Sequence, residues 1–388
     1  FMVIKPEATK GVKVSATEFL SANPNAVLEV AGSPAILDGK IYVASAENLY
    51  CIGKANHTAA AAPIPPPQAE TPVAADAKIA KLLVFPLDTT LRPGGSATLK
   101  LHAYDNLGHC LKEVPAADAK WALPAPPPPP GAKIGGPPIK GTVEAGKLTV
   151  DASLPNQMGP VVVTYEGLQA RGRLRVVPPI PFKEDFSEVP IGKVPAGWVN
   201  CQGKFMVEKL PDGKNALRKA TKNPNPLLAR GNCFIDLPTS SDYTIEADLM
   251  GAKANANLPD MGILNQRYNF VLKGNSQELS ILSWDALPRV DTTVKFKWRP
   301  DVWYTMKLTS SVTGGKATVR GKIWEKSQSE PSNWTIQAVD PHPNLEGSPG
   351  LYGYAVGAVV DQLAPVWYRN VSVVPNNAAN LAPKAINK

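Results

Sequence analysis

The stretch Tyr243-Thr244-Ile245-Glu246-Ala247-Asp248-Leu249 alternates apolar with polar residues along its whole length. Successive side chains of a β-strand point to opposite faces, so this pattern predicts a strand with one face on a core. Residues 304–308 and 319–324 alternate in the same way. Several long, half-polar strands indicate two packed sheets, and we predict such a sandwich over residues 179–376.

The rest of the 388-residue chain also has the composition of an all-β protein. It contains 40 Pro and 30 Gly, and short alternating runs lie between Gly, Pro, Asn and Asp. Such spacing favours strands joined by tight turns. The net charge of +8 is scattered, without a block of five like charges or an interleaving of basic and aromatic residues, so no nucleic-acid partner is predicted. No run approaches the 18 apolar residues of a membrane span, and none is predicted.

The N-terminal segment carries a second recognisable pattern. It reads Ser-Pro-Ala at 33–35, Asp38-Gly39, Ile-Tyr-Val at 41–43 and Leu-Tyr-Cys-Ile-Gly at 49–53. Asp-Gly predicts a two-residue hairpin turn. The segment resembles the closing blade of a quinoprotein-type (PQQ-like) β-propeller from bacteria. The resemblance implies that residues 1–54 are an incomplete terminal blade of a larger multidomain protein.

One blade cannot bury its own faces, so its partners should be missing upstream blades or another copy of the chain. Because a quinone binds at the centre of a complete propeller, we predict no quinone cofactor in this chain. Residues 55–77 are rich in Ala and Pro, which predicts an extended linker.

Residues 78–178 form the next predicted domain. The spacing of turns and strands in this segment is that of a small sandwich. It contains a Pro-Gly-Gly turn at 93–95, an alternating run at 97–104 and a single Trp121. The pattern resembles bacterial immunoglobulin-like (Ig-like) domains. A Pro-rich loop at 124–138 interrupts it, because proline cannot donate to a sheet ladder.

The unit at 179–376 resembles a known fold as well. Its frame includes Phe-Lys-Glu-Asp-Phe at 182–186, Gly197-Trp198, Gly-Ser-Pro-Gly-Leu at 347–351 and the closing strand at 368–373. It resembles concanavalin-like, laminin-G-type jelly rolls, a frame shared by keto-disaccharide hydrolase-like domains. The resemblance implies a jelly-roll β-sandwich, carbohydrate binding, and a secreted protein in an extracellular, periplasmic or cell-surface location. Residues 377–388 are predicted to be a tail.

Two sets of residues in this unit are candidates for chemistry. Gln266, Arg267, Tyr268 and Trp284 combine aromatic rings with planar hydrogen-bonding groups, which sugar binding uses, so we predict them as ligand contacts. Glu246 and Asp248 are the weaker catalytic candidates, because two carboxylates on one strand face recur in jelly-roll glycosidases. Retaining enzymes hold such a pair about 5 to 5.5 Å apart. No second acidic cluster supports them, so no catalytic residue is predicted.

The sequence also contains candidates for a metal site and for a disulfide. Calcium often stabilises this fold through oxygen ligands, and Asp185 or Asp361 could contribute, but Arg369 in the closing strand counts against such a site. No cofactor is therefore predicted, with calcium as an alternative. The four cysteines show no C-x-x-C spacing. Cys201 and Cys233 fall in one domain and are the candidates for a disulfide.

Three functions remain open at this stage. The first is a non-catalytic extracellular module that binds glycan or protein through the jelly roll. The second is an enzyme, either a glycoside-acting jelly roll or the C-terminal accessory part of a quinone-dependent dehydrogenase. The third is a structural subunit of a fibre or surface assembly, because unpaired propeller edges recruit strands.

Overall fold

The computed structural model describes residues 2–6, 11–16, 30, 32–45, 48–53, 70–126, 136–154, 156–219, 229–283, 289–355, 363–377 and 381. These residues form β-strands and one short 3-10 turn at Ala116–Asp118, which confirms the all-β fold class. Within this part of the chain, no helix is long and apolar enough to cross a membrane. The chain divides into two compact units, Phe1–Pro72 and Val73–Lys388.

The first unit contains a hairpin and a three-stranded sheet. Its strands are β1 Met2–Pro6, β2 Gly11–Ala16, β3 Ala35–Leu37, β4 Lys40–Ala44 and β5 Leu49–Ile52. Asp38 and Gly39 both have positive φ, 49° and 68°, which confirms the predicted turn. Each described strand pairs with a neighbour in the same segment. Ile36, Leu37 and Leu49 stay exposed. Pairing with strands outside the segment stays a prediction, and residues 55–69 of the predicted linker lie outside the described residues.

The second unit begins with a small assembly of three sheets. Its strands are β6 Lys81–Phe85, β7 Asp88–Leu91, β8 Ser96–Thr98, β9 Lys100–Tyr104, β10 Cys110–Val114, β11 Lys120–Ala122, β12 Gly141–Glu144, β13 Lys147–Val150, β14 Gln157–Tyr165 and β15 Leu168–Val176. The sheet orders are β10-β9-β6, β11-β14-β15-β7 and β12-β13-β8. They enclose their own core around Leu101, Leu148 and Leu174. The Ig-like family assignment stays a prediction, and residues 127–135 of the Pro-rich loop lie outside the described residues.

The remaining strands build the large sandwich. They are β16 Phe182–Glu184, β17 Phe205–Lys209, β18 Asn215–Lys219, β19 Arg230–Phe234, β20 Tyr243–Gly251, β21 Asp260–Asn265, β22 Tyr268–Lys273, β23 Glu278–Ser283, β24 Asp291–Lys295, β25 Tyr304–Thr313, β26 Lys316–Glu325, β27 Ile336–Asp340, β28 Gly350–Tyr354 and β29 Val366–Pro375. An eight-stranded sheet runs β17-β18-β29-β20-β25-β26-β27, with β16 beside β29. A six-stranded sheet runs β19-β28-β21-β22-β23-β24.

The alternation read from the sequence determines which side chains enter the core of the sandwich. Tyr243, Ile245, Ala247 and Leu249 of β20 are fully buried in one hydrophobic cluster. The apolar positions of β25 and β26 join the same cluster, among them Met306, Leu308, Val319 and Ile323. The two sheets therefore pack face to face, as predicted, and the polar positions of these strands lie on the outer face of the eight-stranded sheet.

One ion pair ties the small assembly to the large sandwich. The Arg92 guanidinium pairs with the buried Asp236 carboxylate and also donates to the Pro178 carbonyl. Asp236 accepts a further hydrogen bond from Ser240 Oγ, at 2.7 Å. Because Asp236 is buried, these donors compensate the loss of its contact with water, and the ion pair fixes the junction between the small assembly and the large sandwich.

Candidate functional site

One cavity formed by the described residues opens on the outer face of the eight-stranded sheet. It measures about 590 Å³, within the range of small-molecule sites. Asn215 and Trp303 line it, together with the charged and polar groups of Asp185, Asp212, Asp248, Lys326, Arg369 and Asn370. We call this cavity the outer pocket.

Strand register explains why residues so far apart in sequence meet there. Asp248 of β20 lies opposite Thr305 of β25 on one side and Arg369 of β29 on the other. The register between β20 and β29 shifts between Glu246 and Asp248, and Asn370 has a positive φ of 50°. A bulge re-aims side chains, and here both Arg369 and Asn370 line the pocket.

Asp248 forms the buried floor of the outer pocket. Its side chain is 4% exposed and pairs with Lys326 Nζ at 3.1 Å. One carboxylate oxygen accepts from Thr305 Oγ1 at 2.6 Å, and the other accepts from Asn370 Nδ2 at 2.6 Å. These donors compensate the burial of the charge and hold the carboxylate in one orientation.

Arg369 forms one wall of the outer pocket, and its donors are occupied. Its guanidinium binds both carboxylate oxygens of Asp212, at 2.6 and 2.8 Å, and donates to the carbonyls of Lys214 and Asn215. The pair lowers the pKa of Asp212 far below its usual value. The guanidinium also lies 4.8 Å from the centre of the Trp303 ring. The wall is therefore a rigid, preorganised surface.

A second row of charges lies next to the outer pocket on the same sheet face. Lys307 pairs with Glu246 at 3.0 Å and with Glu330 at 2.9 Å, and the buried Lys322 pairs with Glu330 at 3.3 Å. Burial alone would lower the pKa of Lys307, but the two carboxylates raise it above its usual value. The Trp324 ring lies 5.8 Å from Lys307 Nζ. Glu246 is therefore part of an ion-pair ladder.

The structure brings the two carboxylate candidates to one face and places further acids beside them. Glu246 and Asp248 share the outer face, as predicted. Glu330 reaches the same lysine as Glu246, while Asp185 and Asp212 line the pocket with Asp248. The sequence alone indicates that Lys307, Lys322 and Trp324 lie on the outer face, because they alternate with core residues along β25 and β26.

The predicted ligand contacts lie elsewhere. Gln266 and Arg267 form the turn between β21 and β22, in the six-stranded sheet, with φ of 46° and 65°. Gln266 and Tyr268 are 1% and 0% exposed. Gln266 Nε2 donates to the Leu345 carbonyl at 2.8 Å, and the Tyr268 hydroxyl donates to Asp340 at 2.7 Å. These two side chains are structural ties that a surface ligand does not reach. Arg267 is exposed, and Trp284 lies outside the described residues.

Asp185 and the two candidate cysteines lie in the described part of the chain. Asp185 lines the outer pocket, and Asp361 lies outside the described residues. No group of three or more His, Cys, Asp or Glu side chains within the described ranges could hold a metal ion. Cys201 and Cys233 are buried neighbours but free thiols, which corrects the predicted disulfide in this structure. Burial and the hydrogen bond with Cys233 raise the pKa of the Cys201 thiol.

No known family model matches the sequence, and no characterised protein matches it. Solved structures show limited similarity. The seed lectin of Lotus tetragonolobus is 9% identical, with 51% of this chain and 98% of the lectin covered and a TM-score of 0.34. Arcelin-5, a lectin-like defence protein of Phaseolus vulgaris, is 9% identical over 50% of this chain and 96% of its own, with a TM-score of 0.33. The receptor-binding domain of botulinum neurotoxin D is 9% identical over 51% and 50%, with a TM-score of 0.35. These TM-scores are too low to identify the fold, which is defined by the strand order of the two sheets.

Proposed function

We propose that the large sandwich is a non-catalytic binding module that holds a neutral glycan in the outer pocket. The observation that carries the proposal is the preorganised lining. Asn215 and Asn370 supply planar amide groups, and the indole of Trp303 supplies an apolar surface. Sugars present hydroxyl groups around apolar ring faces, so this combination fits them better than it fits an apolar ligand.

The charge of the lining selects among glycans. Three acidic residues, Asp185, Asp212 and Asp248, face three basic ones, Lys214, Lys326 and Arg369. Several of these charges already neutralise one another in ion pairs. A ligand with a net charge would leave one sign unbalanced, so a neutral ligand fits the lining best.

The contacts of the carboxylates favour binding over catalysis. A glycosidase needs one carboxyl group that stays protonated to act as the acid, which apolar surroundings achieve. Glu246 and Asp248 are each ion-paired with a lysine, Lys307 and Lys326.

A protein that acts on glycans by binding them would work outside the cytoplasm, and we propose an extracellular, periplasmic or surface location.

The test is binding of the full chain to an array of neutral, sialylated and sulfated glycans. We expect neutral glycans to bind most strongly, and calorimetry then gives the affinity for the strongest neutral binder. Trp303→Ala should weaken this affinity by about tenfold, because one aromatic contact is lost. The matched control is Trp334→Ala, an outer-face tryptophan over Lys322 that does not line the pocket. No binding on the array, or equal losses in both variants, contradicts the proposal.

A turnover assay separates the enzyme alternative. We expect the full chain to leave the array-positive glycan uncleaved after long incubation, as measured by chromatography of the products. Glu246→Gln should then retain binding, because Glu246 lies in the ladder beside the pocket. Cleavage by the original chain that disappears in Glu246→Gln would establish a glycoside-acting enzyme instead.

A further inference from the structure

The small assembly carries one of two exposed cysteines in the chain. Cys201 and Cys233 are buried, whereas Cys51 and Cys110 are exposed. Cys110 begins β10, which pairs in antiparallel fashion with β9. In that register Cys110 lies opposite Tyr104, and Glu113 lies opposite His102. Tyr104 and His102 are two residues apart on β9, so their side chains lie on the same face of the sheet as the Cys110 thiol.

An imidazole and a carboxylate adjoin this thiol in order. Cys110 Sγ lies 3.7 Å from His102 Nδ1, and His102 Nε2 lies 3.5 Å from Glu113 Oε2. The His102 ring also packs edge-on against Phe85, with 4.9 Å between ring centres, which restricts its rotation. A thiol beside a base whose ring is held in place by packing is an arrangement that activates the sulfur for attack.

We propose that Cys110 is a base-assisted thiol and a site of reversible modification by low-molecular-weight disulfides. His102 Nδ1 accepts the thiol proton, and the Cys110 sulfur attacks one sulfur of the disulfide. A new S–S bond forms to Cys110 while the S–S bond of the reagent breaks. The departing thiolate takes up a proton, so one disulfide and one thiol are consumed and one mixed disulfide and one thiol are formed.

The surface position of Cys110 favours exchange over hydrolysis. Attack on a small disulfide requires an accessible sulfur and a proton acceptor, and both are present on the β9-β10 surface. Hydrolysis would also require an enclosed cavity with donors for an oxyanion, and the outer pocket is lined by other residues. The proposal does not depend on glycan binding.

The test uses the full chain with glutathione disulfide at neutral pH, followed by mass spectrometry of the peptides over time. Cys51→Ser leaves Cys110 as the exposed thiol, and Cys110→Ser leaves Cys51. We expect Cys110 to form the mixed disulfide at least about tenfold faster than Cys51, because the assisting base accelerates proton removal. Equal rates for the two exposed thiols would overturn the proposal.

A second variant identifies the base. In the Cys51→Ser background, His102→Gln should slow modification of Cys110 to the rate of an unassisted thiol. The matched control is His109→Gln, because His109 is the neighbouring residue in sequence but its ring contacts Asp105 at 2.7 Å. Circular dichroism confirms that both variants are folded. An undiminished rate in folded His102→Gln, or an equal decrease in His109→Gln, refutes the role of His102.

Discussion

Replacing Arg289 with Met is expected to lower the free energy of unfolding by about 3 kcal/mol, because it leaves a buried carboxylate without its cation. Asp340 is fully buried, and the guanidinium of Arg289 approaches it at 2.8 Å. The Tyr268 hydroxyl and the His342 backbone N–H donate to the same carboxylate. The expected loss lies at the low end for buried pairs, since 33% of the Arg289 side chain is exposed. Urea unfolding measures it.

The pH dependence of this loss tests its electrostatic origin. Burial alone would raise the pKa of Asp340, but the hydrogen bonds from Arg289 and Tyr268 lower it below the usual value. A carboxyl with a lowered pKa in the folded state stabilises the protein above its unfolded pKa, about 3.9, and this stabilisation disappears as the pH falls through the folded value. The difference between the original chain and Arg289→Met should therefore shrink below about pH 4.

The matched control is Arg299→Met. Arg299 also pairs with a carboxylate at 2.8 Å, that of Glu325, but its side chain is 69% exposed. Exposed pairs contribute at most about 1 kcal/mol, because water screens them. Equal losses in the two variants, or a loss in Arg289→Met that is unchanged in acid, would show that Asp340 is not held by charge pairing.

Gly321→Ala is expected to destabilise the large sandwich by about 3 kcal/mol, because the added methyl group has no space. A Cβ atom at Gly321 would lie 2.6 Å from two ring atoms of Phe270 in the opposite sheet. Both residues belong to the buried interior, with Phe270 fully buried. The missing side chain at 321 therefore allows the ring of Phe270 to contact the backbone of β26.

A double-mutant cycle measures the coupling between the two positions. Phe270→Leu alone should also destabilise, because it leaves part of the ring volume empty. Combined with Gly321→Ala, the smaller side chain leaves room for the new methyl group. The double variant should therefore be more stable than the sum of the two single losses predicts, by at least about 1 kcal/mol. Strict additivity in thermal or urea unfolding would contradict the packing argument.

The strands could be predicted from the sequence, because the alternation of apolar and polar residues within each strand shows which face packs on the core. The alternation in residues 243–249 determines which side chains enter the hydrophobic core, and the structure places Tyr243, Ile245, Ala247 and Leu249 together in one cluster. The Asp38-Gly39 turn was also predictable, because few residues other than Gly, Asn and Asp tolerate positive φ. These signals are local, and the fold class follows from them.

The outer pocket could not be predicted, because its lining depends on register between distant strands. Asp212, Asp248, Trp303 and Arg369 come from four separate stretches of the chain, and the pairing of β29 with β18 and β20, and of β20 with β25, brings them together. The register shift in β29 that accompanies Asn370 has no clear signal in one sequence.

Tyr268 was predicted as a sugar contact, but the structure buries its ring, and the strand itself shows the reason. Tyr268 alternates with Phe270 and Leu272, and all three side chains belong to the same buried cluster. An aromatic ring beside an amide therefore described a core residue at the start of a strand. Its hydroxyl is satisfied by Asp340, far along the chain at β27, which local pattern could not show.

The strands of the eight-stranded sheet place two kinds of sequence constraint on opposite faces. Inward-facing positions of β20, β25 and β26 are constrained by packing in the shared interior. Exposed lining residues such as Asp185 and Lys326 do not carry that packing constraint. Under the proposed binding function, point changes at the exposed positions alter recognition while the interior stays the same. A lineage that inherits this sandwich could then diversify its ligands in single steps, and the same face offers a protein engineer a site for grafting new specificities.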